Sequence, residues 1–223
     1  MSARATRILG GLALLALAVG LAAGFGYAPR EAVQGNVQRI MYVHVPAVLT
    51  AYLAFGLVLV GSIGALATGR AGWDRLAGSA AELGVLFTAV TIVSGSIWGK
   101  PTWGTWWTWD ARLTSTAVLF LVYAGYLLLR AMVDEPERRA RIAAVVGIVG
   151  AANIPIVHFS VKWWRALHQP STILGPEPSP IAGPIAAALF VNWVAFTLLF
   201  LYLLLRRVEL ARLEDAWVPE TRR

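Results

Sequence analysis

The 223-residue chain contains no cysteine. That excludes disulfides, any Cys-ligated metal site, and a C-x-x-C-H thioether attachment motif for haem. Charge is scarce as well: 14% of residues are Asp, Glu, Lys or Arg, where soluble domains average about 25%. There is no G-x-x-x-x-G-K-[ST] phosphate-binding loop, so ATP hydrolysis through that motif is excluded. Histidine is limited to His44, His158 and His168. The chain has no internal repeat and no low-complexity segment.

Apolar residues are abundant. They make up 58% of the chain, and mean hydropathy is +0.65. A helical membrane span needs about 20 mostly apolar residues. Six runs qualify, at about residues 8–25, 47–68, 76–97, 113–132, 142–157 and 184–205. Little chain is left for a soluble domain, so residues 1–223 read as one membrane domain. The expected fold is all-α: an integral bundle of six transmembrane helices, with short interfacial helices in the outward-facing loops. Arg4 and Arg7 ahead of the first run resemble the start of a signal peptide. The apolar stretch exceeds a usual signal core, so it reads as a retained span. Val33, Val37, Ile40, Met41 and His44 fall at helical spacing and predict an amphipathic interfacial helix. Pro46 would then open the second span.

Net charge is +7. In a chain this apolar, Lys and Arg are topology markers first, and they give no reason to expect a nucleic-acid partner. Arg4, Arg7, Arg70, Arg75, Arg130, Arg138, Arg139, Arg141, Arg206, Arg207, Arg212, Arg222 and Arg223 fall on one side of the six-span layout. Arg30, Arg39, Lys100, Arg112, Lys162 and Arg165 fall on the other. The positive-inside rule puts both termini in the cytoplasm. All three histidines then face outward, together with the loop Trp98 to Thr114.

That loop reads WGKPTWGTWWTWDARLT. It holds Trp98, Trp103, Trp106, Trp107 and Trp109, half of the ten tryptophans. An interfacial aromatic belt would spread its Trp over many span ends. This concentration instead suggests an apolar platform for a large planar ligand. In a helix, Trp103, Trp106, Trp107 and Asp110 share a face; in an extended segment, Trp107 and Trp109 do. Val161, Trp164 and His168 also lie at helical spacing, next to Trp163. Imidazole is a common haem ligand, so His44 and His168 from separate loops, with a Trp platform, form a candidate haem site. His158 reads as an interface residue or a further ligand. Asp110 suits an N-cap of the fourth span, or an acceptor supporting a ligand histidine. Arg112, Lys100 and Arg165 could meet lipid headgroups or haem propionates. Glu82, inside the third span, is either functional or paired near the interface. Asn153 and Asn192 suit helix–helix hydrogen bonds.

WGTWWTWDARLT resembles the WWD signature of haem-handling proteins in cytochrome c maturation. MYVHVPA around His44 and SVKWWRALHQPST around His168 resemble the flanking His segments of one branch, the haem exporter/delivery proteins C of the system I pathway. The resemblance covers nearly the whole chain. It implies His44 and His168 as axial ligands of a non-covalent haem b. The platform it implies consists of Trp98, Trp103, Trp106, Trp107, Trp109, Asp110, Trp163 and Trp164. It also implies a multi-pass protein of the bacterial inner membrane that carries haem on its periplasmic face. The implied partners are a membrane-anchored haem chaperone (the E component), ABC transporter A and B subunits that hydrolyse ATP, a small membrane D protein, and lipid. The chain itself would be a delivery subunit, not an enzyme. Rival readings are a membrane b-type cytochrome for electron transfer, a cytochrome c synthetase-type haem lyase, and a purely structural subunit.

Overall fold

The computed structural model describes residues 3–164, 166–168, 181 and 183–217. The described residues are almost entirely helical and contain no strand, only an isolated bridge between Glu31 and Gly35. Seven α-helices occur in chain order: α1 Ala3–Ala22, α2 Met41–Thr68, α3 Ala71–Trp103, α4 Ala111–Met132, α5 Pro136–Ala151, α6 Asn153–Trp163 and α7 Gly183–Trp217. With α1 continued by a π-turn (Ala23–Tyr27) and α5 joined to α6, six helical segments are long and apolar enough to cross a membrane.

Several helices outrun their expected ends. No free amphipathic helix spans Val33 to His44. Gly35 (φ +60°) and the Glu31 carboxylate, which accepts from Val33 N (2.8 Å) and Gln34 N (2.5 Å), close a turn there. A short 3₁₀ segment, Val37–Ile40, then runs directly into α2. Pro46 therefore lies inside α2 rather than opening it, and His44 is the fourth residue of that helix. The freed carbonyls after α1 are taken by Arg39, which donates to Gly24, Phe25 and Ala28. Helix α3 continues beyond Ile97 through Pro101 and stops where Gly104 (φ +79°) caps it, its N–H donating to the Lys100 carbonyl at 3.0 Å. At 1.5 Å per residue, its 33 residues reach about 50 Å, against a hydrocarbon core of about 30 Å. So α3 lifts Trp98 and Trp103 on a rigid helical end, where a loop was expected. The fifth span is longer than expected and broken at Ala152, because Pro155 has no N–H to offer the Ala151 carbonyl and crowds it.

The core centres on α2 and α3. Ala47, Ala51, Ala54 and Val58 face Ala77, Ala80 and Ala81, all buried, so the two backbones approach closely without help from water exclusion. Gly84 leaves room for the Phe55 ring, which stacks on Tyr123 at 3.9 Å and 12°. Asn192 Nδ2 donates to the Gly20 carbonyl at 2.7 Å and ties α7 to α1. At the end of the bundle away from His44, ion pairs lock the helices. Arg130 binds Asp74 through two bonds of 2.5 and 2.9 Å, and Arg207 binds Glu82 at 2.6 and 2.8 Å. Glu82 is thus a paired strut between α3 and α7. Asn153 donates to the Ser115 carbonyl at 2.8 Å, joining α6 to α4.

Candidate haem site

The first turns of α2, the last turns of α3, the start of α4 and the segment after α6 meet at one end of the bundle. They enclose a cavity of about 90 Å³ lined by His44, Tyr52, Ser96, Trp103, Trp107, Arg112 and His168, with Ile92, Leu119 and Val157 deeper in the bundle. Residues 124 positions apart in the chain, His44 and His168, thus share one pocket.

Each imidazole has a polar group facing its Nδ1. That atom of His44 lies 3.0 Å from Ser94 Oγ on α3. The ring of Trp98 meets His44 edge-on (5.7 Å between centroids, 80°) and is itself anchored by Nε1–H donation to Gln34 Oε1 at 2.8 Å. On the other side, His168 packs on Trp103 (4.6 Å, 63°), and its Nδ1 is 3.8 Å from Asp110 Oδ2. This is an electrostatic contact, longer than a hydrogen bond. Burial, followed by the nearby Arg112 charge, lowers the His168 pKa to about 4; Asp110 opposes that shift. The imidazole is therefore neutral at physiological pH, the form that can ligate a metal.

Asp110 serves both roles considered for it. Its Oδ1 caps α4 by accepting from Leu113 N at 2.9 Å, while Oδ2 faces His168 and the Leu167 N–H (3.4 Å). Arg112 donates from Nη2 to the His158 carbonyl at 2.9 Å. His158 lies within α6, with its ring beside Tyr52 and Phe159, and it does not line the cavity.

The Trp platform divides. Trp103 and Trp107 line the cavity, while Trp98 stands behind His44. Trp106, Trp109, Trp163 and Trp164 are more than half exposed and do not line it. The expected helix carrying Val161, Trp164 and His168 ends at Trp163; Trp164 is extended, so His168 enters from a loop. Lys100 does not reach the pocket, because its Nζ donates to the Gly104 carbonyl at the end of α3 (3.0 Å). Arg165 lies outside the described residues. Tyr52, Ser94, Gly95 and Ser96 were not singled out from sequence. The small polar run Ser94-Gly95-Ser96 in an otherwise apolar span was the available signal.

The polar groups of the pocket fit a ligand with an electron-rich periphery and a metal centre. Trp107 Nε1, Arg112 Nε and His168 Nδ1 are buried with no hydrogen-bond partner in the protein. Buried polar atoms without partners are rare, and three belong to residues lining this one cavity. His44 and His168 on one cavity are a donor pair that would suit the iron of a haem.

Fold and pocket together define a six-span helical membrane protein with a paired-histidine, tryptophan-walled cavity at one end of the bundle. Family comparison makes this specific. Residues 1–218 match the family described as "Heme exporter protein C". "Heme exporter protein C" of Bradyrhizobium diazoefficiens is 41% identical over 214 residues, covering 95% of this chain and 81% of that protein. The Escherichia coli K12 protein of the same name is 37% identical over 208 residues, 93% of this chain and 85% of its own length. A "Putative cytochrome c biosynthesis ccmC-like mitochondrial protein" of Arabidopsis thaliana is 35% identical over 216 residues, 94% and 82% respectively. The chain belongs to the heme exporter protein C family.

Proposed function

We propose that this protein binds haem b non-covalently between His44 and His168 and delivers it to a membrane-anchored haem chaperone during c-type cytochrome biogenesis. The observation that carries this reading is the meeting of the two histidines, from distant parts of the chain, on one cavity with Trp103, Trp107 and Arg112. The enclosed space is small beside the roughly 300–1,000 Å³ of ordinary ligand pockets. A porphyrin held there would extend beyond the enclosed space, and the exposed Trp106, Trp109, Trp163 and Trp164 offer apolar surface to a docking partner. Arg112, whose Nε lacks a partner, is the cation placed to meet a propionate.

On this reading the chain is a delivery subunit and not an enzyme. Its residues hold and orient haem so that a partner's nucleophile can reach it, a contribution of proximity and orientation to the partner's chemistry. It forms one membrane domain in the bacterial inner membrane with both termini cytoplasmic, as the Arg distribution suggests, and the pocket opens to the periplasm. ABC transporter A and B subunits and a small D protein complete the assembly, and ATP is hydrolysed in the ABC partner.

The test is purification of His44→Ala, His168→Ala and the double variant beside wild type, after co-expression with the partners. Wild type is expected to carry haem with a low-spin bis-histidine spectrum. The single variants are expected to lose or alter that spectrum, and the double variant to retain almost no haem. Equal haem content and unchanged spectra in the double variant would show the ligand assignment to be wrong.

A further inference from the structure

We infer that Ser94, with Gly95, is the positioning device that makes His44 competent to bind iron, by fixing its tautomer and ring plane from the neighbouring helix. This rests on His44 being an axial ligand.

The reasoning begins with a single proton. Ser94 Oγ lies 2.6 Å from the Val90 carbonyl and 3.0 Å from His44 Nδ1. A carbonyl oxygen cannot donate, and two oxygens at 2.6 Å require a proton between them. The hydroxyl has one proton, and it goes to Val90. Toward His44 the hydroxyl can only accept, so Nδ1 must carry the hydrogen. In a neutral imidazole, Nε2 then presents its lone pair. Ser94 thus does for His44 what the Asp110 carboxylate is placed to do for His168. Supporting groups behind a metal-bound histidine commonly set tautomer and orientation in this way.

Gly95 sets the plane. A Cβ at Gly95 would fall 2.9 Å from His44 Cε1 and 3.5 Å from Nδ1. Real Cβ atoms essentially never show the first distance, so any larger residue would force the ring out of this position. On the following turn of α3, Trp98 closes the third side of the ring. Three residues on two successive turns of a rigid helix therefore cradle a histidine of α2. The Ser94 back-bond is also the local habit of this helix, since Thr88 and Thr91 make the same bond to Gly84 (2.7 Å) and Phe87 (2.9 Å). Threonine at position 94 should keep the acceptor in place.

The experiment has two arms on the full-length protein. In the first, haem-free protein labelled with ¹⁵N-histidine is measured by NMR, with His44→Ala used to assign the signal. His44 is expected to show a protonated Nδ1 and an unprotonated Nε2. In Ser94→Ala the balance should shift toward Nε2–H, and Ser94→Thr should restore the wild-type pattern. In the second, haem affinity and the low-spin optical signature are recorded for Ser94→Ala, Ser94→Thr, Gly95→Ala and His44→Ala. Ser94→Ala and Gly95→Ala should weaken haem binding about 10–100-fold with a partial high-spin spectrum, while Ser94→Thr stays near wild type. An Nε2–H tautomer in the wild type, or Ser94→Ala with unchanged affinity and spectrum beside an impaired His44→Ala, would overturn this inference alone. A His44→Ala protein that binds haem like the wild type would overturn the ligand assignment and this inference with it.

Discussion

Replacing Asp110 separates two jobs done by one carboxylate. Oδ1 caps α4 at 2.9 Å from Leu113 N, and Oδ2 stands 3.8 Å from His168 Nδ1. Asparagine can still cap a helix but carries no charge; alanine does neither. Losing the cap should cost about 1 kcal/mol, which for a chain of this size lowers the melting temperature by roughly 2–4 °C. The charge acts differently. At an effective dielectric of about 20, a full imidazolium at that distance would gain about 4 kcal/mol. Burial and Arg112 keep His168 neutral, however, so the carboxylate acts by facing Nδ1 across 3.8 Å and not by binding an ion. The loss of such a supporting carboxylate typically weakens a metal site 10–100-fold, or about 1.4–2.7 kcal/mol. Asp110→Asn should therefore melt close to wild type yet bind haem at least about tenfold more weakly, while Asp110→Ala should show both defects. Intrinsic tryptophan fluorescence reports melting without a dye, and a Soret titration reports affinity. Asp110→Asn with wild-type affinity would refute the supporting role of the charge, and Asp110→Ala with wild-type melting would refute the cap.

Other consequences are open to direct measurement. Arg130→Met leaves Asp74 buried opposite no cation, and should destabilise the bundle by about 3–5 kcal/mol. A thermal or denaturant comparison would show this, and an unchanged transition would remove the pair from the account of stability. The lowered pKa of His168 means that between about pH 6.5 and 4 the folded chain binds fewer protons than the unfolded chain. Its contribution thus makes folding stability fall as pH drops through that window. The ¹⁵N shifts of His168 should titrate with a midpoint about 4, and a midpoint near 6.5 would contradict its burial beside Arg112. Lys100→Ala should leave haem affinity within about twofold of wild type, because its ammonium caps α3. Arg112→Ala should lower that affinity several-fold through loss of a charge-assisted contact. Soret titrations of both variants would decide, and the reverse ranking would misplace the propionate contact.

The sequence alone determined the class. Long apolar runs and scarce charge require a helical membrane protein, because unpaired backbone groups are not tolerated in hydrocarbon. Span counting also placed His44, the Trp segment and His168 toward one end, since each pass reverses the chain. The Asp110 cap was legible because it is local: the accepting side chain and the donating Leu113 N–H lie three residues apart. Helix ends were less legible. Pro46 looks like a boundary, yet it lies inside α2, where packing outweighs one missing hydrogen bond.

Only the tertiary structure decided which tryptophans face the pocket and what stands behind each histidine. Periodicity gives a helix face but not its neighbour. It grouped Trp103, Trp106 and Trp107, and the fold set Trp103 and Trp107 part-buried in the cavity wall and left Trp106 exposed outside it. The contacts of His44 with Ser94 and of His168 with Asp110 span 50 and 58 positions of chain. Contacts at that separation depend on how α2, α3 and α4 pack, and no local pattern encodes them.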